Sequence, residues 1–482
     1  MSALPRFSKH AAALAAVAAA AALAGCASAP QGASSAAQHA ASAPTLAAYV
    51  VLGEQGAAVV RVLTEAPACP ALSVDGQPQP MTVRAAPATI AQRPTASAPA
   101  DSRPSAFPVL ACEAALPAAA RAASVQGQAL PLPRAAPQRI VVIGDTGCRL
   151  KKADNKFQAC NDPQATPFAA ISAAAARTQP DLVIHVGDYH YRENPCPEGN
   201  QGCAGSPWGY GWDTWREDFF RPAAPLLAAA PWVVVRGNHE TCVRAGQGWW
   251  RFLDPRPLLP GRDCDAAAND LQGDYSDPYA VPLGAGSQLL VLDTAATTWR
   301  GLKPGQVGWE KYRDNYRKLE ALSQQAQWSL GLNHQPMLGF GADIDKNGQR
   351  YLQLGDAGLQ QSFGSLNPLL LPAGVQAMLS GHVHLWQQVS FSSPHPSQFV
   401  TGFSGTEEDT TPLPDDVAQI QPAPGAVIAS FSSWVGGFGF MTLERGARPG
   451  EWQAIVHDRD GREMNRCRLA GRSSQCAKAR LP

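Results

Sequence analysis

Short runs of apolar, often β-branched residues recur after residue 139, and most of them stop at a polar side chain. They lie at residues 140–143, 182–186, 232–235, 289–292, 328–332 and 375–379. Continuous apolar runs of this length are typical of strands that are buried on both faces. Residues 166–178 and 306–327 are predicted to be helices. Because strands alternate with helices, residues 135–482 are predicted to form an α/β domain.

The sequence of residues 46–134 has a different pattern from that of the α/β domain and predicts a small β-domain. Residues 48–52 and 58–63 resemble strands separated by a glycine-rich turn, and Val74-Asp75-Gly76 is a turn signal. Residues 86–105 are rich in Pro, Ala and Ser, which predicts a loop. No catalytic cluster lies in this segment, so its predicted role is that of a structural element or spacer.

The N-terminus has the pattern of an export signal, predicted to span residues 1–25. Arg6 and Lys9 precede an apolar run that ends in Leu23-Ala24-Gly25-Cys26. This ending resembles the bacterial lipobox, in which the chain is cut before the cysteine and the thiol receives lipid. Residues 26–45 read as a flexible tether. We therefore expect an exported protein, periplasmic or at the cell surface, that is attached to a bacterial membrane through Cys26. The alternative is an ordinary signal peptide cleaved nearby, with Cys26 incidental.

The charges balance, since Lys+Arg and Asp+Glu both number 39. No basic block is present, so a nucleic-acid partner is not expected.

Apart from Cys26, ten cysteines remain. Export to an oxidising space favours disulfides. Metal binding is the weaker alternative, because no CxxC pair occurs. Pairing each cysteine with its neighbour along the chain predicts five local disulfides: 69/112, 148/160, 196/203, 242/264 and 467/476.

Five blocks of polar residues follow the apolar runs and contain residue types that bind metals. They are Gly144-Asp145, Gly187-Asp188, Gly237-Asn238-His239-Glu240, Asn333-His334 and Gly381-His382-Val383-His384. Sites in α/β sheets form outside the carboxyl ends of the strands. Each block alone is a weak signal. Their order along the chain, each behind an apolar run, predicts one metal site built from all five.

This ordered set resembles the pattern GD…GD…GNH[DE]…H…GHxH of the calcineurin-like metallophosphoesterase superfamily. The resemblance covers roughly residues 139–390. It implies a four-layer αββα sandwich, with a site for two metal ions between the ends of its two β-sheets. The expected fold is thus this α/β sandwich, preceded by a small β-sandwich-like domain.

Two blocks resemble the purple acid phosphatases within that superfamily. The first block reads Gly144-Asp145-Thr146-Gly147 and lacks the His that most of the superfamily has at position 147. The second block has Tyr191 three residues after Asp188, as in the GDxxY motif, whose Tyr binds ferric iron. The alternative for Tyr191 is an aromatic residue of the pocket wall. The fourth block departs from the VxxH of that family.

The resemblance implies two sets of ligands. One metal would take Asp145, Tyr191 and His384, and the other Asn238, His334 and His382, with Asp188 bridging them. Phenolate and carboxylate suit Fe(III), whereas imidazole and amide suit a divalent Zn, Mn or Fe ion. We therefore expect Fe(III) plus a divalent ion.

Four further residues have predicted roles near the site. The resemblance implies that His239 supports the transition state or protonates the leaving oxygen; the alternative is a structural histidine. Arg149 could meet the substrate phosphate, or be a solvated charge. His190 could face the pocket, or be incidental. Asp293 is expected to orient the backbone or a ligand.

The predicted activity is hydrolysis of a small phosphorylated substrate, most simply a phosphomonoester, by a metal-activated hydroxide. A phosphodiesterase or lipid-headgroup hydrolase is the second hypothesis, and activity on a monoester against a diester separates the two. A binding lipoprotein on a retired enzyme fold is the third. It is disfavoured because every proposed position is filled.

Overall fold

The computed structural model describes residues 45–482. The predicted signal peptide, the lipidated Cys26 and nearly all of the tether lie outside the described residues. Within residues 45–482, no helix is both long and apolar enough to cross a membrane.

Two large β-sheets organise the molecule. Sheet I has 11 strands, in the spatial order Ser473–Cys476, Glu463–Ala470, Glu451–Asp458, Gly439–Arg445, Arg139–Ile143, Leu182–His185, Trp232–Val234, Thr45–Leu52, Ala58–Thr64, Leu110–Leu116 and Thr82–Ala85. Sheet II has 7 strands, in the order Tyr279–Gly284, Ser287–Val291, Trp328–Leu332, Val375–Ser380, Ser397–Thr401, Trp386–Phe391 and Ile428–Trp434. The central strands of both sheets are parallel. Every residue of Leu182–His185, Ser287–Val291 and Val375–Ser380 is buried, as the continuous apolar runs predicted.

Helices cover the outer face of each sheet, which gives the predicted four layers. The α-helices are Phe168–Arg177, Trp212–Trp215, Arg221–Ala229, Gly246–Gly248, Asp270–Gly273, Val307–Ser323 and Ala357–Gly364. Phe168–Arg177 and Arg221–Ala229 pack on the outside of sheet I. Val307–Ser323 and Ala357–Gly364 pack on the outside of sheet II. A third apolar cluster, which includes Val142, Leu289 and Leu330, lies between the sheets. The αββα sandwich is therefore confirmed.

The shorter elements lie in the connections. Two-stranded pairs are formed by Ala88–Ile90 with Ser105–Phe107, by Leu150–Lys151 with Lys156–Phe157, and by Gly341–Ile344 with Arg350–Gln353. A four-stranded sheet contains Gln128–Ala129, Ala123–Val125, Leu72–Val74 and Gln77–Gln79. Short helical turns occupy Glu54–Gly56, Pro99–Asp101, Lys152–Asp154, Arg216–Phe220, Asn238–Glu240, Trp249–Leu253 and Ala267–Asn269.

The N-terminal segment is rich in strands, as expected, but its longest strands extend sheet I. Thr45–Leu52 pairs in parallel with Trp232–Val234 through Val51 and Trp232. Main-chain pairing thus crosses the predicted boundary at residue 134. The division into two domains at that residue stays a prediction.

All five predicted disulfides are present. Sulfur–sulfur bonds join Cys69 to Cys112, Cys148 to Cys160, Cys196 to Cys203, Cys242 to Cys264 and Cys467 to Cys476. Each closes a local loop, so each limits the unfolded chain modestly. Cys148 lies three residues after Asp145, so one bridge fixes the loop that carries a predicted metal ligand.

Buried arginines fasten the N-terminal strands to the rest of the molecule. Arg61, wholly buried, donates to the carbonyls of Phe252 at 2.6 Å and Asp254 at 3.1 Å, and its guanidinium lies 3.2 Å from Glu113. Burial lowers the pKa of Arg61 to about 10, which leaves the guanidinium charged at neutral pH. Arg84 makes similar bonds to the carbonyl of Trp250. Carbonyls of the turn Trp249–Leu253 thus accept hydrogen bonds from two arginine side chains of the N-terminal segment.

We expect Arg61→Leu to lower the free energy of unfolding by about 3 kcal/mol, because it leaves buried carbonyls and the Glu113 carboxylate with fewer donors. Chemical denaturation of the purified protein measures this change. Arg121→Leu is the control, since Arg121 is exposed. Equal stabilities of the two variants would contradict a structural role for the Arg61 contacts.

Candidate metal centre

Both sheets deliver side chains to one site at the carboxyl ends of their central strands. In sheet I, Asp145 follows Arg139–Ile143, Asp188 follows Leu182–His185, and Asn238 follows Trp232–Val234. In sheet II, His334 follows Trp328–Leu332, and the last block follows Val375–Ser380. The two sheets pack face to face, so the five predicted blocks meet at one edge of the sandwich.

Three of the predicted ligands have a left-handed backbone conformation, which residues other than glycine rarely adopt. The φ angles are 56° at Asp145, 58° at Asp188 and 71° at His382. A Cβ at Gly237 would lie 2.0 Å from Oδ1 of Asp188, so only glycine allows these two loops to approach. Such strain persists where surrounding contacts fix the loops, and it is typical of functional sites.

One half of the cluster surrounds the hydroxyl of Tyr191. This hydroxyl lies 2.8 Å from Oδ1 of Asp145, 2.9 Å from Oδ2 of Asp188 and 3.0 Å from Nε2 of His384. Burial, followed by the charges of Asp145 and Asp188, raises the pKa of Tyr191 well above its usual value. A phenolate at this position therefore requires a cation beside it.

The other half surrounds the amide of Asn238. Its Oδ1 lies 3.1 Å from Nε2 of His334 and 2.9 Å from Nδ1 of His382. Nε2 of His334 is also 3.0 Å from Oδ2 of Asp188. The same carboxylate oxygen thus contacts both halves, which is the arrangement that a bridging ligand requires.

The donor set fits metal ions. Nδ1 of His334 donates to the carbonyl of Val186 at 2.9 Å, and Nδ1 of His384 donates to that of Glu407 at 2.8 Å. Each bond fixes the ring and turns Nε2 toward the carboxylates. Burial opposes a charge on His334, yet Asp188 raises the pKa of its imidazole to about 9. In the metal-free protein, a proton on His334 therefore supplies the positive charge beside Asp188. A bound metal ion would supply that charge instead.

Two buried carboxylates brace the loops that carry the ligands. Glu240 accepts bonds from the main-chain N–H groups of Asp188, Tyr189, His190 and Gly237, at 2.9 to 3.2 Å. Asp218 accepts bonds from the N–H groups of Cys148, Tyr191 and Arg192, at 2.8 to 3.1 Å. Glu240 joins the second block to the third, and Asp218 joins the first to the second. Together they hold the strained backbone in place.

His239 lies beside the cluster without contacting it as a ligand. Its Nε2 is 3.9 Å from Oδ2 of Asp188, while its Nδ1 is 2.7 Å from Oε1 of Glu193. Nε of Arg244 lies 3.6 Å from the same oxygen. Burial and the charge of Arg244 lower the pKa of His239 to about 4. Glu193 thus holds Nδ1 so that Nε2 faces the cluster.

Arg149 is close enough to the cluster for its positive charge to oppose, in part, the rise in the pKa of Tyr191. Its guanidinium is bound to Asp154 at 2.8 Å. His190 is placed differently. Its Nε2 lies 2.9 Å from the hydroxyl of Thr214, and its ring packs against those of Tyr210 and Trp215. None of these partners belongs to the cluster, so the structure does not bring His190 to the predicted substrate.

Asp293 pairs with the buried Arg236 at 2.5 Å. Arg236 directly precedes the Gly237-Asn238 turn, so this contact orients a ligand-bearing loop, as expected.

Sequence reasoning gave no role to four residues that shape the site: Glu193, Asp218, Glu240 and Arg244. Glu193 and Glu240 had a local signal, because each lies within two residues of a predicted site residue. Asp218 and Arg244 had none, since only the folded chain brings them to the cluster.

Comparisons with known proteins agree with this geometry. The model of the calcineurin-like phosphoesterase family matches residues 138–385. No curated protein sequence matches the chain significantly.

Two solved structures share the fold. A purple acid phosphatase from yellow lupin (Lupinus luteus) seeds aligns with a TM-score of 0.50 at 14% identity, over 90% of this chain and 74% of its own. PhoD aligns with a TM-score of 0.50 at 12% identity, over 90% of this chain and 92% of its own.

The family model covers more than half of the chain, and the cluster supplies the donors for the dinuclear metal centre that this family implies. The chain is a phosphoesterase hydrolase that belongs to the calcineurin-like phosphoesterase family.

Proposed function

We propose that the protein hydrolyses phosphomonoesters outside the cytoplasm, as a lipid-anchored enzyme of the purple-acid-phosphatase type. Fe(III) would be held by Asp145, Tyr191 and His384. A divalent Zn, Mn or Fe ion would be held by Asn238, His334 and His382.

The position of Asp188 is the observation that carries this proposal. One oxygen of its carboxylate lies 2.9 Å from the Tyr191 hydroxyl and 3.0 Å from Nε2 of His334. These two groups belong to different halves of the cluster. A carboxylate oxygen between a phenol and an imidazole supports a pair of adjacent cations that share it.

The metals would supply Lewis acidity, which activates water and offsets charge on the phosphate. The protein supplies orientation and a proton. His239 directs Nε2 toward the cluster because Glu193 lies 2.7 Å from Nδ1. In the charged imidazolium form, in which both ring nitrogens carry a proton, Nε2 can give its proton to the leaving oxygen. Arg149 adds positive charge near Tyr191, which favours a phosphate dianion. A monoester carries this extra charge, whereas a diester does not.

The purified protein should hydrolyse p-nitrophenyl phosphate faster than bis(p-nitrophenyl) phosphate when loaded with iron and zinc. Asp188→Asn should lower kcat/KM for the monoester about 1,000-fold or more, because removal of the bridge loses several kcal/mol of transition-state stabilisation. Asp314→Asn, on the exposed face of the helix Val307–Ser323, should leave it unchanged. Faster diester hydrolysis would favour the phosphodiesterase alternative, and no hydrolysis of either ester would contradict the proposal.

The iron-loaded protein should be coloured, because a phenolate bound to Fe(III) absorbs visible light by charge transfer. Tyr191→Phe should remove this colour and weaken iron binding, measured by absorption spectroscopy and metal analysis. Tyr312→Phe, which alters a buried tyrosine of the helix Val307–Ser323, should keep both. A colourless wild-type protein that is fully active with zinc or manganese alone would contradict the assignment of Fe(III). The proposal of a two-metal site would still stand, because the other ligands do not depend on Tyr191.

Cys26→Ser should release the protein from membranes or block its maturation, because the predicted lipid is attached to this thiol. Fractionation of the producing cells and intact mass of the membrane-bound form test this expectation. Unchanged fractionation together with unchanged mass would show that Cys26 carries no anchor.

A further inference from the structure

The Pro/Ala-rich loop of the N-terminal segment crosses the loops of the metal site. We call residues 91–103 the strap. Asp101 of the strap binds Nζ of Lys152 at 2.9 Å, Ser97 accepts a bond from Nδ2 of Asn194 at 2.9 Å, and the N–H of Ala96 donates to the carbonyl of Val243 at 2.8 Å. The strap thus contacts three separate connections of the phosphoesterase fold.

Each of these connections carries a residue of the site. Asn194 directly follows Glu193, and Val243 directly precedes Arg244. Lys152 lies in the loop that begins at Asp145. A segment predicted to be a spacer therefore joins the loops behind the first, second and third blocks.

Hydrogen bonds lead from the strap to Glu193, which in turn contacts the catalytic histidine. Ser97 Oγ lies 3.3 Å from the hydroxyl of Tyr210, and that hydroxyl donates to Oε2 of Glu193 at 3.3 Å. The other oxygen of Glu193 lies 2.7 Å from Nδ1 of His239. Because Asn194 donates to Ser97 and Tyr210 donates to Glu193, the single proton of the Ser97 hydroxyl is left for Tyr210. Each hydrogen bond from Asn194 to Glu193 then has one donor and one acceptor, and Glu193 meets His239 through a close contact of its other oxygen.

The strap also fixes the segment that presents Tyr210. Arg103 lies over the ring of Trp208 at 4.8 Å and binds Asp213 at 2.5 Å, so it holds both flanks of Tyr210. Gly209 has a φ angle of 89°, and a Cβ there would lie 3.0 Å from Nε of Arg103. Tyr210 itself is only 3% exposed. Its hydroxyl has few other positions open to it.

These contacts matter because a carboxylate can turn about its terminal bond. Oε1 of Glu193 is shared between His239 at 2.7 Å and Arg244 at 3.6 Å. The bond from Tyr210 fixes Oε2 and thereby the plane of the group. Without it, Glu193 can rotate toward Arg244, and His239 loses the contact that aims Nε2 at the cluster.

We propose that the strap belongs to the catalytic machinery, in which Ser97 and Tyr210 are positioning residues that fix Glu193 and, through it, His239. This inference rests on the proposed function. It assigns to the N-terminal segment a part in the proton transfer, in addition to its strands in sheet I.

The test compares Tyr210→Phe, Ser97→Ala and Ser97→Thr with the wild-type enzyme. Loss of one hydrogen bond in the chain should lower kcat about 5-fold in Tyr210→Phe and about 2- to 5-fold in Ser97→Ala. KM and metal content should not change, because no metal ligand is altered. Ser97→Thr keeps the hydroxyl and should restore kcat. Tyr316→Phe is the control, since its hydroxyl also takes part in a hydrogen bond, with Asn367, and it lies in the helix Val307–Ser323 on the outside of sheet II.

The leaving group separates positioning from a general loss of structure. If the chain aims His239, Tyr210→Phe should slow an alkyl phosphate more than p-nitrophenyl phosphate, in the same direction as His239→Ala, because a poor leaving group needs the proton more. An equal loss for both esters, or lost metal, would show a structural role and overturn the proposal.

An unchanged kcat in Tyr210→Phe would show that the hydrogen bonds from Ser97 to Glu193 do not position His239. An unchanged kcat in Ser97→Ala would show that the strap has no part in positioning His239. Either result would overturn the proposal. The proposed function fails by a different result, namely a wild-type protein that hydrolyses neither ester.

Discussion

The carboxylate of Asp188 occupies the point where the two sheets of the sandwich meet. Sheet I supplies this residue, and sheet II brings Nε2 of His334 within 3.0 Å of the same oxygen that accepts the Tyr191 hydroxyl. Because so many polar groups are buried together, the cluster is stable only if opposite charge is placed among them. The buried charge of this cluster therefore links two properties of the molecule. It depends on how the two sheets pack, and it favours the binding of cations.

Rigidity around that point has a definite source. The backbone at Asp145, Asp188 and His382 has positive φ, a conformation that costs energy wherever the residue is not glycine. Glu240 and Asp218 offset this cost by collecting main-chain N–H groups from neighbouring loops. The buried carboxylates thus have the role that regular hydrogen bonding has inside a helix or strand. Loops held in this way bring their ligands to fixed positions around Asp188.

The sequence predicted buried strands from its apolar runs, and its resemblance to a known superfamily implied the αββα sandwich; the structure confirms both. The polar blocks behind those runs are local patterns, and the folded chain brings them together, while their role as metal ligands stays a prediction of the sequence. It also predicted the five disulfides, because each joins near neighbours. It did not predict that the N-terminal strands extend sheet I, since strand pairing depends on residues far apart. No local pattern in the sequence sets Tyr210 or Ser97 apart. Only the folded chain shows that both lie in a path to His239.

Sheet I has a consequence for the order in which the chain folds. Its three central strands come from residues 139–234, whereas the four strands on one side come from residues 45–116 and the four on the other from residues 439–476. The strand Arg139–Ile143 pairs on one side with Leu182–His185. Its second neighbour is Gly439–Arg445, from the last part of the chain, through pairs such as Arg139 with Glu444. Such high contact order makes folding slow. The segment that carries the ligands cannot complete its own sheet, and the enzyme becomes competent only after both ends of the polypeptide have docked.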